Sequence, residues 1–294
     1  MVEVIYDGNL GNNLFQYCFG RILALKLGYT LKANPIDGFP GTSEKISGKD
    51  YSKEQKIYLR GQKVDLSFLE NKALKAHIIL TGYFQRYEYY QDYRTEIREW
   101  LKMDDFLYDE IGENDLVIGV RRGKDYIPQH GLPLSYYEKA IQLTKHDRVF
   151  ICSNTNDQFI KYIQKKHNAI VRPPGAIDNI LFIKKFKKII ISNSTFLWWA
   201  AYLSDATEIY FPRPQNGFWA PNEPISKNIQ LEVLEDSRYI YLEADKYRPQ
   251  FLNEMVGESV NGAFNVSKKV VKKIFPFLKK KNIKEGIVFH ENFE

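Results

Sequence analysis

Cysteine is nearly absent from this chain: Cys18 and Cys152 are the only two in 294 residues. Each sits in an apolar setting without a second Cys or a His at metal-ligand spacing, so a disulfide framework and a zinc site are both unsupported. The pair reads as reduced core thiols. Histidine is scarce too, and its five scattered residues do not suggest a zinc site. Long apolar runs are also missing. No window approaches the roughly 18 uninterrupted apolar residues that a spanning helix needs. The opening VEVIYDGN turns polar within a few residues, which is not the pattern of a secretory leader. A cytoplasmic protein is the expectation.

What the chain does have is core material. Hydrophobic residues make up 44% and aromatics 15%, enough to fill two sizeable α/β cores and to exclude a disordered chain. The formal charge of +6 looks like a nucleic-acid signal until it is located. KKVVKKIFPFLKKKNIK, residues 268–284, gathers eight lysines and no acid, leaving the rest of the chain slightly acidic. The body is no general polyanion binder, and nucleic acid is not an expected partner.

Strand-like and helix-like segments alternate along most of the length. Met1 to Tyr6 reads as a strand, Asp7 to Asn13 as a turn, and Leu14 to Leu27 as a helix, with apolar residues at helical spacing and Gly28 as its cap. Residues 34–62 read as a loop region, with one strand at Lys56 to Leu59. A strand at Ile78 to Leu80 enters GYFQRYEYY, and Tyr93 to Lys102 looks helical. After GEND the alternation becomes strict. Strands are expected at Leu116 to Val120, Arg148 to Cys152, Ala169 to Arg172, Lys188 to Ile191 and, last, Glu208 to Phe211. Helices are expected at Leu134 to Lys145, Gln158 to His167, Asp178 to Phe186 and Phe196 to Leu203. That order predicts an α/β protein with a doubly wound parallel sheet whose ligand lies beyond the strand C-termini. Residues 1–112 are read as an N-terminal unit, 113–240 as a second unit and 241–294 as a C-terminal extension.

Three loops suit an anion. Ile189 to Ile191 end an apolar strand, Ser192 to Thr195 follow with helix-capping chemistry, and a nearly all-apolar helix comes behind. Such a turn aims backbone N–H groups and the positive end of a helix dipole at one point. DGNLGNN at the start repeats the arrangement, and VRRGKDY puts Arg121 and Arg122 directly after a strand. An arginine fork suits a phosphate.

These same stretches resemble a known family. DGNLGNNLFQYCFGRILAL is similar to the GGLGNQMFQYAFG opening of the inverting α-1,2-fucosyltransferases, GYFQRYEYY to their GYWQ segment, VRRGKDY to their HxRRGDY loop, and ISNSTFLWWAAYL to their SNSTFSWWAAYL segment. Order and spacing agree from residue 1 to about 220. The resemblance implies a GT-B-like fold of two Rossmann-like halves and metal-independent transfer of fucose from GDP-fucose, with inversion, to a glycan hydroxyl. It carries donor binding to Asn12, Ser153, Asp157, Asn193, Ser194, Thr195 and Phe196, catalysis to Arg121, Arg122 and Asp125, and acceptor contact to Tyr83 and Gln85. Asp157 falls where related enzymes read the guanine edge. Asn13 replaces a glutamine, Gly119 stands where the family has His, and Lys124 is inserted before Asp125.

Several readings stay open on the residues alone. Arg121 either grips a phosphate or pairs with a nearby acid. Tyr83 and Phe84 either stack on an acceptor sugar or pack between the halves, whereas Trp198 and Trp199 read as core and His130 as an ordinary exposed residue. The proton acceptor is Asp125 or Glu88. Other classes remain in view: a transferase for another GDP-sugar or linkage, and a GDP-sugar or glycan binder without turnover. The Lys-rich segment either packs its apolar stripe on the body or attaches the protein peripherally to an anionic membrane.

Overall fold

The computed structural model describes residues 1–71, 75–104, 111–123, 126, 130–214, 228–245, 248 and 287–289. In chain order these form β1 (Val2–Val4), α1 (Leu10–Leu27), β2 (Leu31–Lys32), β3 (Lys56–Leu59), α2 (Leu66–Asn71), β4 (His77–Leu80) and α3 (Arg94–Trp100). There follow β5 (Leu116–Val120), α4 (Leu134–Leu143), β6 (Val149–Ser153), α5 (Gln158–His167), β7 (Ile170–Val171), α6 (Ala176–Ile183), β8 (Lys188–Ile191), α7 (Thr195–Tyr202), β9 (Glu208–Pro214), β10 (Tyr239–Ala244) and β11 (Ile287–Phe289).

Two parallel sheets result. The first has the order β11-β3-β4-β1-β2 and the second β10-β9-β8-β5-β6-β7. β5 and β6 are buried at every position, as continuous runs such as LVIGV and VFICS require when helices cover both sheet faces. The order places β5 between β6 and β8, with Gly119 opposite Cys152 on one side and Ile191 on the other. The chain reverses its direction of winding there. β1 is flanked in the same way by β2 and β4. Ligands of open α/β sheets bind beyond the strand ends at such switch points. The loops leaving β1, β4, β5 and β8 are the ones that carry the four sequence motifs.

Glu208 to Phe211 is not the last strand. β9 runs on to Pro214 and β10 pairs along its whole length, crossing residue 240, while β11 pairs with β3 at the edge of the first sheet. Gly28 caps α1 in the left-handed region at φ +64°, as glycine there allows.

One apolar cluster extends from Val2, Val4 and Leu80 of the first sheet to Val117, Ile189 and Ile191 of the second. α1 and α7 lie in its middle. Phe15 packs on Trp198 and Trp199 at ring-centroid distances of 4.9 and 4.7 Å, and Tyr90 lies 5.8 Å from Trp199. Both tryptophans are therefore core. Polar ties reinforce the join: Arg94 donates to the carbonyls of Tyr202 and Ser204 at the end of α7, and Arg98 forms a forked pair with Asp205. A second cluster, including Ile118, Ile151 and Ile160, covers the other face of the second sheet. Cys18 and Cys152 are buried free thiols, and burial pushes the Cys152 thiol up to about 12. Neither is a reactive thiolate at neutral pH.

Candidate active site

The helices α1 and α7 start against each other. A Cβ on Gly11 would lie 2.5 Å from the Phe196 amide nitrogen and 2.6 Å from Thr195 Oγ1, so only glycine permits this approach. Trp199 Nε1 donates to the Gly11 carbonyl at 3.0 Å and locks the two helix starts together. Neither helix has an acid in its first turn or a side chain closing its N-cap. The Asn12 and Asn13 amides turn back to the Asn9 carbonyl, but the ends of both helices, each positive by its dipole, share one place with no acid in either first turn.

Asn12 sits at the junction. Its Oδ1 accepts from Gln85 Nε2 at 3.0 Å and from Thr195 Oγ1 at 3.2 Å, linking the loops after β4 and β8 through the first turn of α1. Gln85 is 1% exposed and is held by its backbone, whose N–H donates to Gln62 Oε1 and whose carbonyl accepts from Gln230. Among the described residues its own Oε1 meets no donor, nor does Asn13 Oδ1, and Asn193 Nδ2 meets no acceptor. Buried amide groups left this way are costly unless something else fills them.

The paired arginines part company. Arg122 is 2% exposed; its Nε donates to Asp157 Oδ2 at 2.8 Å, and its guanidinium lies 4.0 Å from the centre of the Phe159 ring. Asn154 grips its backbone on both sides, accepting from the N–H at 2.8 Å and donating to the carbonyl at 2.5 Å. Asp157 gives its other oxygen to the Ile160 amide as the cap of α5, so both of its oxygens are engaged. Arg121 is only partly buried. Its N–H donates to Ser192 Oγ, its Nη1 to the Arg122 carbonyl, and its guanidinium lies 5.1 Å from the Tyr126 ring centre. Tyr126 in turn donates to the carbonyl and Oδ1 of Asn193.

Ser194 is the N-cap of α7, buried and without a capping bond, and Phe196 is half-buried against the apolar cluster. Ser153 ends β6 buried, its hydroxyl accepting the Thr155 amide. Tyr83 stands apart from the junction. Its hydroxyl donates to Asp7 Oδ2 at 2.8 Å, and that carboxylate, with partial burial, holds the phenol above its usual range. Phe84 is fully buried at φ +53° and stacks on Phe19 at 4.1 Å, which settles it as packing. Glu88 pairs with Arg86 at 2.7 Å. His130 is partly buried rather than exposed, 5.3 Å from the Tyr126 ring, and burial lowers its imidazole so that it is neutral near pH 7. Lys124, Asp125 and the Lys-rich segment 268–284 lie outside the described residues.

Gly119, where the family resemblance expects His, is filled from the other side. A Cβ there would lie 2.5 Å from Leu197 Cδ2. Residue 197 is itself a departure, since the related segment SNSTFSWWAAYL has Ser at that position. Sequence reading missed Leu197, Asn154 and Tyr126 as parts of the site, although Tyr126 belongs to the arginine motif.

Parallel sheets with their loops gathered at two switch points define a Rossmann-like protein, of the class to which many glycosyltransferases belong. The model of glycosyl transferase family 11 matches residues 43–236, most of the chain, and the protein belongs to that family. It is a glycosyltransferase of the fucosyltransferase kind. The matched segment begins after Asn12, so the helix α1 motif stands on the geometry and on its own resemblance. No curated protein matches the chain. Among the described residues, no group of three or more His, Cys, Asp or Glu could hold a metal ion, and no helix is long and apolar enough to cross a membrane.

Proposed function

We propose that the protein transfers fucose from GDP-fucose to a glycan hydroxyl, α-1,2 to galactose, by a single inverting displacement without a metal. The observation that carries this is the meeting of two helix N-termini, neither with an acid in its first turn, at Asn12 and Thr195, in the fold that also holds the Arg121 loop. Departure of GDP concentrates negative charge on the β-phosphate, and fixed donors in a dry site stabilise that charge without reorganising. Arg121, Asn193, Ser194, Thr195 and the free amides of α7 are assigned to the diphosphate. Arg122 and Asp157 are assigned to shaping the loop from behind, with Ser153 and Phe196 lining the donor side. Asn12 and Gln85 join donor and acceptor sides, and Tyr83 lies at the acceptor rim. Glu88 is tied to Arg86, which leaves Asp125 as the proton acceptor in this reading. The two sheets are read as a GT-B-like pair built on residues 1–112 and 113–240, with β10 carrying the second sheet past residue 240 and β11, from the extension 241–294, added to the edge of the first.

A donor screen tests the reading. Turnover of GDP-fucose with simple galactosides should exceed that of GDP-mannose and should persist in chelator; activity restored only by Mg²⁺ or Mn²⁺ would overturn the metal-free account. Gly119 keeps a second reading in play, because Leu197 occupies the space of the family's histidine. Tight GDP binding with no transfer would favour a glycan-binding protein, and preference for another GDP-sugar a different transferase. Peripheral attachment to an anionic membrane is assigned to residues 268–284. Replacing their eight lysines by glutamine should abolish salt-sensitive vesicle binding while leaving transfer to a soluble galactoside intact.

A further inference from the structure

We infer that Tyr126 is a positioning residue for the diphosphate at the start of α7, acting through the side-chain amide of Asn193. The inference rests on the donor reading above. A primary amide can present either its oxygen or its nitrogen to a ligand, and the neighbour on one side decides which. Tyr126 supplies that neighbour. Its one hydroxyl proton is shared between the nearer carbonyl of Asn193 and Oδ1, the latter at 3.2 Å. Burial pushes the phenol far above its ordinary range, so it remains an O–H donor at any working pH. With Oδ1 fixed toward an O–H group, Nδ2 is turned the other way.

Asn193 is 1% exposed, and its Nδ2 has no acceptor among the described residues. Position 193 immediately precedes the N-cap Ser194, so this unused N–H₂ belongs to the same end of α7 as the free amides and the Thr195 hydroxyl. A buried donor without an acceptor, set where a helix dipole favours negative charge, fits an anionic oxygen. The Tyr126 ring performs a separate task. Its face lies 5.1 Å from the Arg121 guanidinium, a cation–π contact that steadies the arginine. One side chain therefore orients a cation with its face and an amide with its hydroxyl. Removing the hydroxyl alone, as in Tyr126→Phe, keeps the first task and deletes the second.

The test is a double-mutant cycle on the full chain, with GDP affinity measured by calorimetry for the wild type, Tyr126→Phe, Asn193→Ala and the double variant. Each single change should weaken GDP roughly tenfold, the worth of a hydrogen bond to a charged group. The double variant should bind no more weakly than Asn193→Ala, because both changes remove one donor. A general structural role would instead give losses that multiply and melting temperatures that fall with them. Multiplied losses, or wild-type affinity in Tyr126→Phe, would overturn the inference. If Asn193→Ala does not fold, Asn193→Ser completes the cycle. Inorganic pyrophosphate separates the two readings. A wild-type protein that binds pyrophosphate but not GDP would sink the donor assignment, and the cycle is then read in pyrophosphate. Binding of neither would sink both.

Discussion

The amide oxygen of Asn12 and the hydroxyl of Thr195 meet at 3.2 Å across a sequence separation of 183 residues, and the same oxygen also takes a hydrogen bond from Gln85. A neutral acceptor holds three segments together at a point where two helix dipoles are positive. Its neutrality matters as much as its bonds.

Asn12→Asp tests this. A carboxylate at the first turn of α1 should leave stability unchanged or raise it by up to about 1 kcal/mol through the helix dipole. The same charge repels a diphosphate, so GDP affinity and kcat/KM should fall by roughly tenfold or more. A melt beside a GDP titration reads both. Parallel loss of stability and affinity would mean that Asn12 is only scaffold.

The two arginines should separate by measurement. Arg122→Ala takes the cation from Asp157, which keeps its bond to the Ile160 amide, and empties the buried space beside Phe159, so a loss of about 2–5 kcal/mol is expected in denaturant unfolding. Arg121→Lys should change the melt little but lower kcat by roughly a hundredfold, because an ammonium cannot reproduce the guanidinium fork at a developing oxyanion. Nearly unchanged turnover would remove Arg121 from leaving-group stabilisation.

Gly119 and Leu197 should behave as one unit. Gly119→His alone forces a side chain onto Leu197 and should cost about 1–3 kcal/mol. Adding Leu197→Ser opens that space, so the double variant should be more stable than the sum of the single changes by about 0.5–3 kcal/mol. Additive losses would show that Leu197 yields on its own and that the two departures are unrelated.

Acid should weaken the second sheet through Asp115. Burial works to raise its carboxyl, but the Arg148 fork, at 2.5 and 3.0 Å, and the Gly112 amide outweigh this and hold it below the usual range. A depressed folded value gives stability that is fully present above the unfolded value of about 3.9 and is lost as pH falls below it, through the folded value. Asp115→Asn should be less stable at neutral pH and show a flatter decline below about pH 4. An unchanged acid slope in that variant would place the acid sensitivity elsewhere.

The strands β5, β6, β8 and β9 were legible because a parallel strand covered on both faces must be apolar throughout, and LVIGV or KIII can hardly be anything else. That property also hid the difference between Arg121 and Arg122. With no polar face on β5, period-two alternation gave no sign of which arginine turns inward, and only Asn154, Asp157 and Phe159 decide it. β2, β10 and β11 were missed; β2 and β11 are strands by pairing alone, and the YIYLEA of β10 follows the strand read as the last. The motif loops were found because their chemistry is local. Leu197 was not, since its meaning is a contact with Gly119 across the fold.

The apolar cluster that Phe15, Tyr90, Trp198 and Trp199 knit runs without a break between residues of the two sheets. Units that swing like a clamshell are usually separated by a modest, polar seam. Here such a swing would pull buried aromatic rings out of a shared core. The sheets are therefore expected to melt together: a calorimetric scan should show one cooperative peak rather than two.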